Sequence, residues 1–158
     1  MAIYMKFGSI NGAVTTKGFE KWIELNSFQW GVGRAVGSAA RGSTNREGSE
    51  PSISEVTVTK AMDIASNALF SDAVGGGLNT TVQLKFTTTT KDTITTYLKY
   101  ELSKTGVSGY SVSSGGDNPS ESLSLNFTKI MITHTGTDSK VGGAPDTVGY
   151  DLETMHKV

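Results

Sequence analysis

The chain contains no cysteine, 3 prolines and 2 histidines in 158 residues. Without cysteine there is no disulfide, no thiolate nucleophile and no Cys-ligated zinc, a usage that fits a reducing cytosol. His134 and His156 stand far apart with no metal-ligand spacing around them, so no metal site is expected. Charge of one sign is also missing. Fourteen Lys and Arg against 15 Asp and Glu give a net charge of -1, which removes the electrostatic footprint of nucleic-acid binding. No apolar run approaches the roughly 18 residues of a membrane span, so no membrane insertion is expected. The start, Met1-Ala2-Ile3-Tyr4-Met5-Lys6-Phe7, alternates apolar with other residues and lacks the basic stretch and apolar run of a secretory signal. These absences predict a protein that is soluble and cytoplasmic when made.

Recognisable reaction chemistry is equally sparse. Serine is plentiful, but no G-x-S-x-G elbow opens a helix, so no catalytic residue is assigned and no enzyme is expected. Gly31-Val32-Gly33-Arg34-Ala35-Val36-Gly37 imitates a dinucleotide fingerprint, yet its spacing is one residue too long and no helix follows. No cofactor is expected. Small residues at Gly31 and Gly33 instead let another backbone approach or leave a smooth surface. The sequons at Asn79 and Asn126 have no signal peptide to carry them to a glycosylating compartment.

What is present is period-two alternation. Ile3, Met5 and Phe7 mark an opening strand before the Asn11-Gly12 turn. A second strand carries Ile23 and Leu25, then Phe28, Trp30 and Val32; its phase flips at Asn26-Ser27, where a bulge is predicted. Residues 35–51 replace the apolar pattern with Gly, Ser, Asn and Pro and read as a long loop. Such loops are functional or disordered, and Arg41, Arg46, Glu47 and Glu50 offer charges for another molecule.

Val56 and Val58 mark the next strand. Met62, Ala65, Leu69 and Ala73 change the period to that of one amphipathic helix over 62–74, with Asp63 as N-cap and Gly75-Gly76-Gly77 as terminator. Strands follow at Val82, Leu84 and Phe86, and then as one long bent ribbon from Ile94 to Val112. After the turn cluster 113–119, Leu123, Leu125 and Phe127 alternate, and Ile130 and Ile132 take the opposite phase, which predicts a second bulge near Thr128-Lys129. Val148, Tyr150 and Leu152 offer a last strand after the Gly-rich stretch 135–146. The whole predicts a single domain over 1–158, mainly β: an antiparallel barrel or sandwich of about seven strands with one flanking helix. Phe28, Trp30, Val32, Leu123, Leu125 and Phe127 are its expected core.

Six segments then carry a resemblance that runs nearly end to end: 2–12 (AIYMKFGSING), 22–34 (WIELNSFQWGVGR), 46–60 (REGSEPSISEVTVTK), Met62-Asp63, 109–130 (GYSVSSGGDNPSESLSLNFTKI) and Val148-Gly149-Tyr150-Asp151-Leu152. Together they resemble the haemolysin-coregulated protein (Hcp) family, the tube subunit of the type VI secretion system. The resemblance implies a phage tail-tube-like fold, six copies closing into a ring, and rings stacking into a hollow tube. It also implies a sheath and a spike protein as partners, effector proteins held in the ring lumen, and export with them without a signal peptide. If Phe28, Trp30 and Val32 point into the core, Gln29, Gly31 and Gly33 lie on the opposite face and are candidates to line the lumen. Arg41, Arg46, Glu47 and Glu50 are candidates for contacts between stacked rings. The alternative is a monomeric β-sandwich module that binds a carbohydrate or protein ligand.

Overall fold

The computed structural model describes residues 1–37, 48–135 and 145–158. Arg41, Arg46 and Glu47 of the predicted loop, and most of the Gly-rich stretch 135–146, lie outside the described residues.

The order of elements is β1 (Ala2–Phe7), β2 (Ile23–Leu25), β3 (Ser27–Gln29), β4 (Val32–Gly33), β5 (Ser52–Ile53), β6 (Val56–Ala61), α1 (Ser66–Gly75), β7 (Thr80–Thr90), β8 (Thr93–Ser113), β9 (Ser120–Asn126), β10 (Lys129–His134), β11 (Asp146–Asp151) and β12 (His156–Lys157). All pairings are antiparallel. One face runs β12-β11-β10-β8-β7-β1-β2, and the other, β3-β6-β9, joins it through β8. Among the described residues β3 pairs only with β6 and β12 only with β11, so the sheets form a sandwich rather than a closed barrel. Among the described residues the twelve strands exceed the expected number because β4, β5 and β12 are two-residue pieces and the strand expected around 22–32 is cut into three.

Alternation places the core. Phe7, Val82, Leu102, Ile130 and Tyr150 stand opposite one another across β1, β7, β8, β10 and β11. The adjacent row is Ile23, Met5, Leu84, Tyr100, Ile132 and Val148. Burial is complete at Ile23, Met5 and Leu84 and falls along the row to Val148, which is 43% exposed. The opposing layer contributes Val56, Val58, Leu123 and Leu125, all fully buried. Each such side chain contributes about 1.5–3 kcal/mol on leaving water.

Three corners join the layers. At Asn26 the chain leaves the side of β1 and joins β6, and the Asn26 N–H donates to the Thr59 carbonyl (2.7 Å). At Thr128 it passes from β9 to β10, and the Thr128 N–H donates to the Ser103 carbonyl (3.0 Å). β8 turns the third corner unbroken: up to Thr105 it pairs with β7, from Gly106 with β9, and a register shift falls between Val107 and Gly109. The phase flips at Asn26-Ser27 and Thr128-Lys129 are therefore changes of sheet, not bulges within one sheet.

Val32 corrects the expected core. Leu123 and Leu125 are fully buried, Phe127 is buried, and Phe28 and Trp30 are half-buried, but Val32 is 58% exposed. Beyond Trp30 the chain leaves the sandwich and β4 pairs only with β5, so no second layer covers Val32.

The helix begins later than its apolar stripe implies. Asp63 makes a local turn first: its N–H donates to Ser66 Oγ (3.0 Å) and its Oδ1 accepts from the Ala65 N–H (2.9 Å). Ala65, buried, caps the start of α1, which buries Ser66 and Leu69, keeps Ala73 half-buried and stops where Gly76 turns extended.

Candidate functional site

The segment predicted as a loop is ordered at its base. Val32 faces Ile53, Gly33 faces Ser52, and an isolated bridge joins Val36 to Gly48. The Gly31 N–H donates to Ser54 Oγ and the Ser54 N–H to the Gly31 carbonyl, both at 3.0 Å. Farther out, the Ser49 N–H donates to the Ala35 carbonyl (2.8 Å) and Ser49 Oγ accepts from the Ala35 N–H (3.1 Å). Residues 31–37 and 48–54 thus form a two-stranded arm. Residues 31–37 are exposed, as is Glu50. An isolated two-stranded ribbon is marginally stable in water, so such an arm gains from a neighbour.

Gln29, Gly31 and Gly33 come together here. All three are exposed and line one side of a hollow of about 400 Å3, faced by Ser52, Ser54 and Glu55. The Glu55 carboxylate accepts the Ser108 hydroxyl, and the rest of the lining is neutral. At Gly31 and Gly33 a Cβ would meet nothing, and neither residue has left-handed backbone. Gly12 differs: there a Cβ would run into the Trp22 carbonyl. The smallness of Gly31 and Gly33 is not demanded by the fold of this chain.

A second hollow, of about 190 Å3, opens on the other side of the arm base between Trp30, Val32 and Ile53 and the sheet residues Ile132, Val148 and Tyr150. Its lining is apolar apart from Lys157 at the margin.

Sequence reading missed the buried polar cluster that pins α1. Lys60 and Glu121 stand directly opposite on β6 and β9, both buried, with Nζ 2.5 Å from Oε1. Lys60 Nζ also donates to Ser66 Oγ (3.2 Å) and pairs with Asp63 Oδ1 (3.0 Å). Ser66 Oγ donates to Glu121 Oε1 (2.6 Å), and the Tyr110 hydroxyl donates to Oε2. Burial alone would raise the Glu121 carboxyl, but hydrogen bonds from Lys60, Ser66 and Tyr110 outweigh it and hold the group below its usual range. Burial, reinforced by Glu121, pushes the Tyr110 phenol up to about 12. One signal was available: Lys60 shares the phase of Val56 and Val58, and Glu121 that of Leu123 and Leu125, so both charges point where only a matched pair is tolerated.

Every aromatic side chain except Phe70 is buried or half-buried. Trp22 is half-buried in an edge contact with Phe19 (5.2 Å), which stacks on Tyr4 (4.6 Å), and Lys85 Nζ lies 5.1 Å from the Trp22 ring. Burial and then Lys99 lower the Lys85 ammonium. Phe28 packs on Phe86 and Tyr100, and Trp30 meets Tyr100 edge-on (5.9 Å). Among the described residues no group of three or more His, Asp or Glu could hold a metal ion, and no helix is long and apolar enough to cross a membrane.

The fold recurs in known proteins. Residues 4–134 match the sequence profile described as "Type VI secretion system effector, Hcp". The solved structure of a type six secretion system protein superposes with a TM-score of 0.86 at 29% identity, covering 99% of each chain. Hcp1 from Salmonella typhimurium gives a TM-score of 0.77 at 20% identity, covering 99% of this chain and 98% of that one. Secreted protein Hcp3 from Pseudomonas aeruginosa gives 0.62 at 17% identity, covering 94% and 98%. The comparison with curated proteins finds no match. With more than four fifths of its length inside that profile, the chain belongs to the Hcp family of type VI secretion tube proteins.

Proposed function

We propose that this chain is a non-enzymatic building block: six copies close into a ring, rings stack into the hollow inner tube of a type VI secretion system, and the tube is exported together with effector proteins. Family membership supports the setting. The observation that carries the reading is the exposed arm at 31–37 and 48–54, with small residues at its base that the fold of the single chain does not require. A head-to-tail contact between unlike patches closes a ring when its rotation closes, and a second contact along the axis stacks the rings.

The arm, with Glu50 and the charges Arg41, Arg46 and Glu47 on the segment it carries, reaches the next ring. The Gln29, Gly31 and Gly33 face lines the lumen, where a surface of small neutral side chains holds varied cargo weakly. Spike protein, sheath and effectors are the other partners. The protein is made in the cytoplasm and leaves through the secretion system itself.

Negative-stain microscopy of the purified protein tests assembly: ring particles are expected, and particles of single-chain size at every concentration overturn it. Deleting residues 37–48 should leave rings and abolish stacking; tubes formed by the deletion variant would show that the arm does not stack them. Gln29→Trp should lower effector co-purification with rings intact, and unchanged retention would remove that face from the lumen.

A further inference from the structure

The surface face of α1 is unlike that of an ordinary exposed helix. Its exposed positions are Asn67, Ala68, Phe70, Ser71, Val74 and Gly75, followed by Leu78, and none is charged. Phe70, Val74 and Leu78 are 52%, 70% and 58% exposed. The single charge on the helix, Asp72, is turned inward and accepts the Val107 N–H (2.8 Å). The outward face is uncharged rather than wholly apolar, and on it Phe70 and Val74, one turn apart, form a continuous apolar ridge beside Asn67 and Ser71.

The same chain carries a matching hollow. The groove between Trp30, Val32 and Ile53 on the arm base and Ile132, Val148 and Tyr150 on the sheet has about 190 Å3 of space. An apolar cavity of about 150 Å3 already takes up benzene, so the groove accommodates a phenyl ring. Val32 and Val148 keep it partly open to solvent. Ridge and groove share no residue, one being convex and one concave; the Phe70 ring rests edge-on against Tyr110 (5.8 Å) with its outer side open, and among the described residues nothing fills the groove.

We propose that the Phe70–Val74 ridge of one copy seats in the Trp30–Val148 groove of the next, making this the contact that repeats around the ring. The inference rests on the self-assembly proposed above. A second copy is the occupant because one copy-to-copy contact covers both apolar surfaces, whereas a different protein bound to the ridge leaves every groove open. The contact joins unlike patches, the arrangement that ring closure requires. It also makes the arm base one wall of the seat, so the arm is steadied by the neighbour it grips.

The test pairs one variant from each side. Val74→Glu alters the ridge and Val148→Glu the groove; both positions are substantially exposed in the single chain, so folding is retained and is verified by thermal unfolding. Sedimentation velocity reads the mass. The parent chain should sediment as a ring, and each variant as single chains, with assembly shifted at least tenfold in concentration. An equal mixture of the two variants should recover a two-chain complex and stop there, because the one intact seat pairs the groove of the Val74→Glu chain with the ridge of the Val148→Glu chain. Variants that assemble like the parent overturn the proposal while leaving the ring reading intact, and so does a mixture that stays as single chains. Rings of Val74→Glu that form normally but lose affinity for sheath protein assign the ridge to the sheath instead. A parent chain that never assembles overturns the ring reading itself.

Discussion

Along residues 48–61 the chain passes between two opposite environments. At one end Ser52 and Ile53 belong to the arm, paired only with Val32 and Gly33. At the other, Lys60 is buried against Glu121, Ser66 and Asp63. The buried end satisfies its polar groups from within the chain: Lys60 has three partners, and both oxygens of Glu121 are engaged. The arm end leaves amide, hydroxyl and small-residue surface facing outward. One end is a finished interior and the other an interface awaiting its second half. Substitutions should therefore act on folding at one end and on association at the other.

The sharpest break of that contrast comes from Glu121→Ala. It takes from the buried Lys60 ammonium its closer carboxylate and leaves only Asp63 Oδ1 (3.0 Å) to balance the charge; removing one member of a buried pair costs up to about 3–5 kcal/mol. Guanidinium unfolding should show that loss, whereas Gln29→Ala on the arm side should stay within about 0.5 kcal/mol. A similar loss for both would erase the distinction. The double replacement Lys60→Met with Glu121→Leu should recover most of the loss, since apolar residues of similar volume commonly replace such pairs without cost. If the double variant is as unstable as Glu121→Ala, the cluster stabilises through its hydrogen bonds to Ser66 and Tyr110 more than through charge matching.

pH separates the two ends next. Glu121 is held below its usual value in the fold, so its contribution is complete above the unfolded carboxyl value of about 4.3 and is lost as pH falls through the lower folded value. Tyr110 is raised to about 12, so its contribution is present below the phenol value of about 10 and is lost as pH climbs from there towards 12. Tyr110→Phe should flatten the alkaline limb of a stability profile, and Glu121→Gln the acid limb. Arm substitutions should leave both limbs in place.

The contrast also explains what the sequence revealed. Alternation marks Val56, Val58, Leu123 and Leu125 because both sides of those strands are decided locally, apolar inward and polar outward. The same alternation carries on through Trp30 to Val32 and misassigns it, since periodicity reports which face a residue takes but not whether a second layer lies over that face. The flips at Asn26-Ser27 and Thr128-Lys129 were visible, but their cause was not, because it lies in which distant strand pairs next: β6 after β1, and β8 with β11 after β6 with β8. The arm was legible only as an interruption. Its pairs, Val32 with Ile53 and Val36 with Gly48, join residues embedded in Gly and Ser, where no pattern announces a strand. The delayed start of α1 follows from Asp63 and Ser66 bonding to each other and to Lys60, a competition that apolar spacing does not register.

The smallest effect on stability is expected at Gly31 and Gly33, and it is the most telling. Glycine costs folding free energy because the unfolded chain has more conformations to lose, so alanine at a compatible position stabilises by about 0.4–1 kcal/mol. Both sites are compatible: their backbones are not left-handed and a Cβ meets nothing within the chain. Gly31→Ala with Gly33→Ala should therefore raise the unfolding midpoint slightly while weakening ring assembly or cargo retention, since the added methyls occupy space that the single chain leaves free. A variant that is more stable and assembles and retains cargo as well as the parent would mean that these glycines are tolerated rather than reserved, and the arm base would lose its claim to be a contact surface. A variant that is less stable would place a constraint on the backbone between β3 and β4 that their open surroundings do not suggest. The expected outcome, a gain in folding coupled to a loss in association, is the signature of residues whose neighbours belong to another molecule.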